Sequence, residues 1–238
     1  MDTRLVFART AVLCLVLALF LSAVAGCSGD EPEERNAFIA LLREKVLPQK
    51  GVSLPVLAGA EKAAIGRYAE HYALLQSFQA TLSGETGKNA GELLVLAEFE
   101  DFAALASAEK SLKKAAGEAE KLCNLVDSLK RKTDKKKAEL SVPEDLAPAY
   151  DAAYAKIVTR PGEATSRMFA AVRATFASIL DLLDFINSRS RDMEIDGKNI
   201  NLKNPALQDE LNAKMVAVRE KSQALTEAYT EMMRIMMQ

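Results

Sequence analysis

The sequence predicts an all-α protein, an elongated bundle of long, coiled-coil-like helices with one small β-hairpin near residues 193–202. Three observations carry this. Apolar residues recur at steps of three and four along most of residues 35–238, the period of a helix with one buried face. Pro and Gly clusters interrupt that period at only a few places. One interruption differs in kind: Asp196-Gly197, flanked by Met193, Ile195, Ile200 and Leu202, carries the signal of a two-residue hairpin turn.

Taken in order, residues 1–26 read as a lipoprotein signal peptide. Arg4 and Arg9 precede Ala11–Val24, which carries no charge. That stretch of about 14 residues has the length of a secretory apolar core and falls short of the ~20 a spanning helix needs. Val24-Ala25-Gly26-Cys27 follows, a lipobox: small side chains beside the cut between Gly26 and Cys27, and a thiol at Cys27 to take the lipid. Cys14 is discarded with the signal. Ser28 in place of Asp favours sorting to the outer membrane, facing the periplasm. Residues 27–34 are then the lipidated Cys27 and a short acidic tether, and 35–238 a single helical periplasmic domain.

A first helix is expected over Glu33–Leu47, with Phe38, Leu41, Leu42 and Val46 on one face, ended by Pro48, Gly51 and Pro55. A second runs from Ala58 to about Leu82 on Ile65, Tyr68, Tyr72, Leu75, Gln79 and Leu82. His71 lies at the edge of this stripe. It reads as a partly buried structural residue, because a di-iron bundle needs Glu-x-x-His on two helices and the chain has a single His. Ser83–Gly91 is expected to be a loop, and its glycines do not fit a phosphate-binding loop.

The clearest pattern is the seam Leu105, Ala108, Leu112, Ala115, Ala119, Leu122, Val126 and Leu129, expected in one helix from Phe102 to Leu140, about 58 Å long. The seam is expected to end at Thr133 and Lys136. Cys123, beside it, is expected to be buried. Lys130–Lys137 holds six cations and one acid. It reads as a solvated helix end, with docking to anionic headgroups as the functional alternative.

Ser141-Val-Pro-Glu144 resembles a capping box opening a helix over Pro143–Val158, which Arg160-Pro161-Gly162 should break. Phe169, Val172, Phe176, Ile179, Leu183 and Ile186 then mark the central helix, widened by Leu180, Leu182 and Phe185. After the hairpin, Asn204-Pro205 should cap a last helix with the stripe Leu207, Leu211, Met215, Val218, Leu225, Tyr229, Met232 and Met236. Met232, Met233, Met236 and Met237 make its end apolar nearly all round. Burial against neighbouring helices is the expectation; a soft protein-binding end is the alternative, and no further ligand nearby defines a copper site.

A net charge of −2 gives no electrostatic reason to expect nucleic acid. One His and three Cys exclude a zinc ribbon and a disulfide scaffold. No catalytic constellation, metal site or cofactor motif stands out, so the chain is read as a non-enzyme.

Arg35-Asn-Ala37-Phe38-Ile39, Leu54-Pro55, Ala149-Tyr150-Asp151-Ala152-Ala153-Tyr154-Ala155-Lys156-Ile157-Val158-Thr159-Arg160-Pro161 and the hairpin with Gly197 occur in this order along the chain. On these residues the sequence resembles the YiaF-like family of uncharacterised Gram-negative lipoproteins. The resemblance implies a mostly helical, membrane-anchored periplasmic domain and carries over no catalytic residue.

Two functions follow as expectations. The first is a lipid-anchored, non-catalytic envelope module, held to the membrane by acyl chains on Cys27 and contacting an envelope protein. The alternative is a helical carrier for a lipid or other small hydrophobic ligand. An open apolar pocket of several hundred Å³ would favour the carrier.

Overall fold

A computed structural model describes residues 31–93 and 101–238. The signal segment, Gly26 and Cys27 lie outside the described residues. Eight α-helices and one hairpin make up the described chain: α1 Glu31–Leu41, α2 Gly59–Ile65, α3 Ala69–Leu93, α4 Phe102–Ser107, α5 Glu109–Glu139, α6 Ala147–Tyr154, α7 Arg160–Ser188, β1 Met193–Asp196, β2 Asn199–Leu202 and α8 Gln208–Met237. Single π-helical turns extend α1 (Leu42–Val46) and join α6 to α7 (Ala155–Thr159).

The all-α bundle with one hairpin stands. α7 is the central helix, packed against α5 on one side and α8 on the other, while α5 also packs against α3. Phe169, Val172, Phe176, Ile179, Leu183 and Ile186 are all buried, and so are Leu182 and Phe185. The α5 seam is buried at Leu112, Ala115, Ala119, Leu122 and Val126, with Cys123 beside it. The hairpin pairs Met193 with Leu202 and Asp196 with Asn199, leaving Gly197-Lys198 as the turn. Gly197 has φ +55° and, among the described residues, none other than glycine has positive φ, so the turn has the II′ form, which puts its glycine first. All described buried contacts lie within residues 38–211 and the half-buried ones extend to Met236, so a chain beginning at Ser28 keeps the whole described core.

Several boundaries differ from expectation, each for a local reason. The acidic residues Glu31, Glu33 and Glu34 are not tether but the first turn of α1, where carboxylates favour the helix dipole. The second helix is broken at Gly66, not continuous: Gly66 has φ +43°, and a Cβ there would overlap the Glu34 carboxylate. That carboxylate accepts from the Arg67 backbone N–H at 3.1 Å and from its Nε at 2.9 Å, which holds Glu34 below the usual carboxylate range.

Ser83–Gly91 is helix, not loop. Ser83 and Thr86 return their hydroxyls to the carbonyls of Gln79 (2.6 Å) and Leu82 (2.7 Å), so they do not compete with the helical ladder. The helix expected from Phe102 to Leu140 is interrupted at Ala108, whose backbone leaves the helical region. Of the two positions where the seam was expected to end, Thr133 still belongs to it, buried with its hydroxyl on the Leu129 carbonyl at 2.8 Å, and Lys136 is exposed.

Nor does Arg160-Pro161-Gly162 break the chain. A proline tolerates the first turn of a helix, where its missing N–H would be unpaired anyway. The π-turn before it lets the Arg160 N–H reach the Ala155 carbonyl, so helix runs on from α6 into α7. Gly162 then admits the Phe78 ring, whose Cζ would lie 3.2 Å from a Cβ. The expected capping box at Ser141 gives way to a turn: the Leu146 and Ala147 N–H groups donate to the Pro143 carbonyl at 3.1 and 3.0 Å. Asn204 caps the 3₁₀ turn Pro205–Leu207 that leads into the last helix, accepting from the Ala206 N–H at 3.1 Å, while Leu207 at the start of α8 itself gives no side-chain cap.

The stripe of α8 is present but shallow. Of its expected members only Leu211 is buried; Met215, Val218, Leu225, Met232 and Met236 are half-buried and Tyr229 is exposed. Full burial of the C-terminal Met cluster is therefore corrected: Met232, Met233 and Met236 are half-buried and Met237 is 66% exposed.

Candidate functional site

The half-burial of α8 has a cause. Toward its C-terminal end α8 faces the extended part of α3 across α7, and the space between is an open cavity of about 760 Å³. Its floor is α7, through Pro161, Thr165, Met168, Phe169 and Val172. One wall is α3 (Gln79, Leu82, Ser83, Thr86, Gly87) and the other α8 (Leu225, Thr226, Tyr229, Met232, Met236). Val52 and Ile157 close one end.

Sequence and packing together make this groove. Beyond Leu82 the α3 wall is built from small residues, Ser83, Thr86 and Gly87, and a Cβ at Gly87 would meet nothing within 4 Å. The α8 wall presents Met side chains, unbranched and polarizable, which fit irregular apolar surfaces. The end of α8 is fixed by the loop after α1, where Gly51 (φ +74°) passes so close to the Met236 carbonyl that a Cβ would lie 2.9 Å from it. No lining residue is charged. The volume is that of a small-molecule site, about 300–1,000 Å³.

Polar groups in the groove are few. The Gln79 side-chain oxygen Oε1 accepts from the Leu54 N–H at 3.2 Å, and Thr226 donates to the Ser222 carbonyl at 3.1 Å. The Thr165 hydroxyl is buried and has no partner.

Across the last turn of α8 lies a polar cavity of about 620 Å³ with Lys156, Arg160, Glu163, Arg167, Glu231 and Arg234. Two of its cations have structural work. Lys156 donates to the carbonyls of Val46, Leu47 and Gln49, meeting the unpaired end of the first helix. Arg234 forks onto Glu231 at 2.7 and 2.6 Å.

His71 belongs to a different, closed region. It sits among Phe38, Tyr68 and Tyr150, with ring centroids 6.1, 5.2 and 5.2 Å away. Nε2 lies 3.1 Å from the Ser141 carbonyl, so it carries the proton and donates, while buried Nδ1 has no partner. Burial lowers its pKa, partly offset by the Ser141 carbonyl. Burial and the hydrogen bond to Glu31 push Tyr68 up to about 12, and burial pushes Tyr72 up to about 12. These groups are neutral near pH 7 and read as core. Among the described residues no group of three metal-binding side chains occurs.

The basic run after the seam is partly neutralised from within. Lys130 pairs with Asp134 at 2.9 Å, Asp134 accepts from the Tyr154 hydroxyl at 2.7 Å, and Lys137 pairs with Asp151 at 2.6 Å while lying 4.5 Å from the centre of the Tyr154 ring. It therefore ties α5 to α6. No described helix is long and apolar enough to cross a membrane.

The sequence pointed to the Met residues of α8 and to Phe169 and Val172, but not to the groove they form. Ser83–Gly91 looked like a turn, and a wall that borders empty space leaves no apolar period to find.

Residues 12–233 match the family model described as "Protein of unknown function (DUF3053)". The chain is 23% identical over 228 residues to the "Uncharacterized protein YiaF" of Escherichia coli (strain K12), covering 94% of this chain and 93% of that one. The "Uncharacterized protein YiaF" of Shigella flexneri gives the same figures. No solved structure matches.

Proposed function

We propose that this chain, which belongs to the DUF3053 family, is a membrane-tethered, non-catalytic carrier that holds a small hydrophobic ligand in the groove between α3, α7 and α8. The observation that carries this is the groove itself: about 760 Å³, apolar, without a charged lining residue, and walled by α3, α7 and α8. Closing it over an apolar chain would remove half-buried Met232, Met236 and Leu225 from water, worth about 25 cal/mol per Å² covered. The tether is acylated Cys27, a reading supported by the lipobox Val24–Cys27 after an uncharged apolar stretch. Several acyl chains on one Cys anchor stably where one does not. The four residues 27–30 before α1 would keep the folded body near the membrane, facing the periplasm from the outer membrane.

An interaction module is the second reading. It is favoured by Tyr229 and Val216, 52% and 45% exposed on α8. Exposed apolar side chains scattered singly are ordinary on protein surfaces, and Tyr229 borders the groove, so the carrier accounts for more of the surface.

Two experiments test the two halves. Cells labelled with a clickable fatty acid should mark the wild-type protein and not Cys27→Ala; equal label on both would end the tether reading. Titration of the chain from Ser28 onward with N-phenyl-1-naphthylamine, which fluoresces in apolar surroundings, should give saturable binding of one dye per chain. No enhancement would end the carrier reading.

A further inference from the structure

We propose that the groove takes a neutral amphiphile, an apolar chain bearing an uncharged hydroxyl or ester oxygen, and that Thr165 is the residue that seats this oxygen. The inference rests on the reading of the groove as a ligand site and names the ligand's chemistry.

Thr165 lies on the floor, on α7, and is 1% exposed. Helical threonines elsewhere in the protein satisfy themselves locally: Thr86, Thr133, Thr175 and Thr226 each donate to the carbonyl four residues back. Thr165 makes no such bond, and its hydroxyl has no partner of any kind. A buried hydroxyl without a partner carries a desolvation cost of about 1–3 kcal/mol. As it stands the Thr165 hydroxyl is shut off from the open space of the groove. A turn about χ1, which breaks no hydrogen bond and exchanges the hydroxyl with the methyl, is what brings it to a ligand oxygen. The hydroxyl both donates and accepts, so it can donate to an ester carbonyl or accept from an alcohol.

The same floor argues against an ionised head. No Lys, Arg or His lines the groove. A carboxylate or phosphate brought beside Thr165 would be desolvated without a counter-charge, which is far more costly than burying a neutral oxygen. The cations Arg160 and Arg167 border the other cavity, across the α8 end. Hence the apolar walls select a chain, and the floor selects an uncharged oxygen on it.

The test is displacement of N-phenyl-1-naphthylamine from the chain beginning at Ser28, at pH 8, by 1-dodecanol, methyl laurate and laurate. Wild type, Thr165→Val and Thr165→Ser are compared, with thermal melts of each. Val matches Thr in shape and removes an unpaired hydroxyl, so Thr165→Val should melt no lower than wild type. Corrected for its own dye affinity, it should lose about tenfold in affinity for whichever neutral competitor the hydroxyl seats, the loss of one hydrogen bond. Thr165→Ser should retain that affinity. Laurate should compete at least about tenfold more weakly than the neutral pair against wild type. A loss confined to dodecanol assigns a hydroxyl, and one confined to methyl laurate assigns an ester carbonyl. Unchanged displacement by both in Thr165→Val, or laurate competing as well as dodecanol, would overturn this inference and leave the groove standing. Failure of the dye to bind wild type would overturn the carrier reading and this inference with it.

Discussion

Helices α5 and α8 carry equally regular apolar stripes and have opposite fates. In α5, Leu112, Ala119 and Val126 are fully buried and Leu122 is 2% exposed. In α8, Leu211 alone is buried, and Leu225, Met232 and Met236 stay half-buried. The difference lies in what stands opposite. α5 runs between α3 and α7, and three of the eight residues of its expected seam are Ala, which lets the neighbouring backbones close in. α8 rests mainly on α7, and where α3 comes alongside it presents Ser83, Thr86 and Gly87, too small to meet the Met side chains. A periodic stripe says which face turns inward; the partner decides whether the contact fills.

That contrast fixes the largest expected effect. Leu122→Ala should cost about 2–5 kcal/mol, the toll of a cavity in a packed seam. Met232→Ala, on a wall already bordering space, should cost about 1 kcal/mol or less. Urea midpoints measure both, and equal shifts would mean that α5 and α8 are packed alike. Removal of Glu231–Gln238 should cost about 1–3 kcal/mol, since Met236 also packs against the α1–α3 core, and should abolish dye binding by opening the groove's end. A truncated protein that melts normally and binds dye normally would leave the end of α8 without either role.

The closed region can be probed by pH. The folded-state pKa of His71 lies below its unfolded value, because burial disfavours the imidazolium. Its contribution is therefore fully present above the unfolded pKa of about 6.5 and is lost as pH falls toward the folded pKa. Thermal midpoints should drop between pH 7 and 5 in wild type, and His71→Gln, though less stable at pH 7, should show a flatter profile. An unchanged slope would place the acid sensitivity elsewhere. The smallest effect belongs to the surface beyond the seam: Lys136→Ala, exposed and without an ion pair, should stay within about 0.5 kcal/mol of wild type.

Most of the architecture was legible in residue patterns. The 3-4 stripes located the helices, Asp196-Gly197 the hairpin, and Asn204-Pro205 the last cap. Several errors fall at Gly and Pro: Gly84, Gly87 and Pro161 were read as breakers, and Gly66 was not. Gly84 and Gly87 sit inside a helix beside open space, Pro161 follows a π-turn that absorbs its missing donor, and Gly66, which does break a helix, does so to admit the Glu34 carboxylate. Each outcome depends on a tertiary neighbour that local sequence does not specify. The groove was illegible for the same reason. Its members were visible as stripe residues, but the gap between them arises only when α3 continues past Leu82. Thr165 had no signal at all, since an unpaired hydroxyl is a property of its surroundings.

The most direct test of the account fills the groove from a position where the fold has room. Gly87 lines it and Gly84, one turn earlier on the same helix, does not; a Cβ at either meets nothing within 4 Å. Replacing either by Phe removes a helix-interior glycine and should leave the melting midpoint unchanged or slightly raised. N-phenyl-1-naphthylamine binding should then survive in Gly84→Phe and fall at least about tenfold in Gly87→Phe, as expected when a side chain occupies a preformed apolar site. Equal binding by the two variants would contradict the claim that the space between α3, α7 and α8 is where this protein holds its ligand.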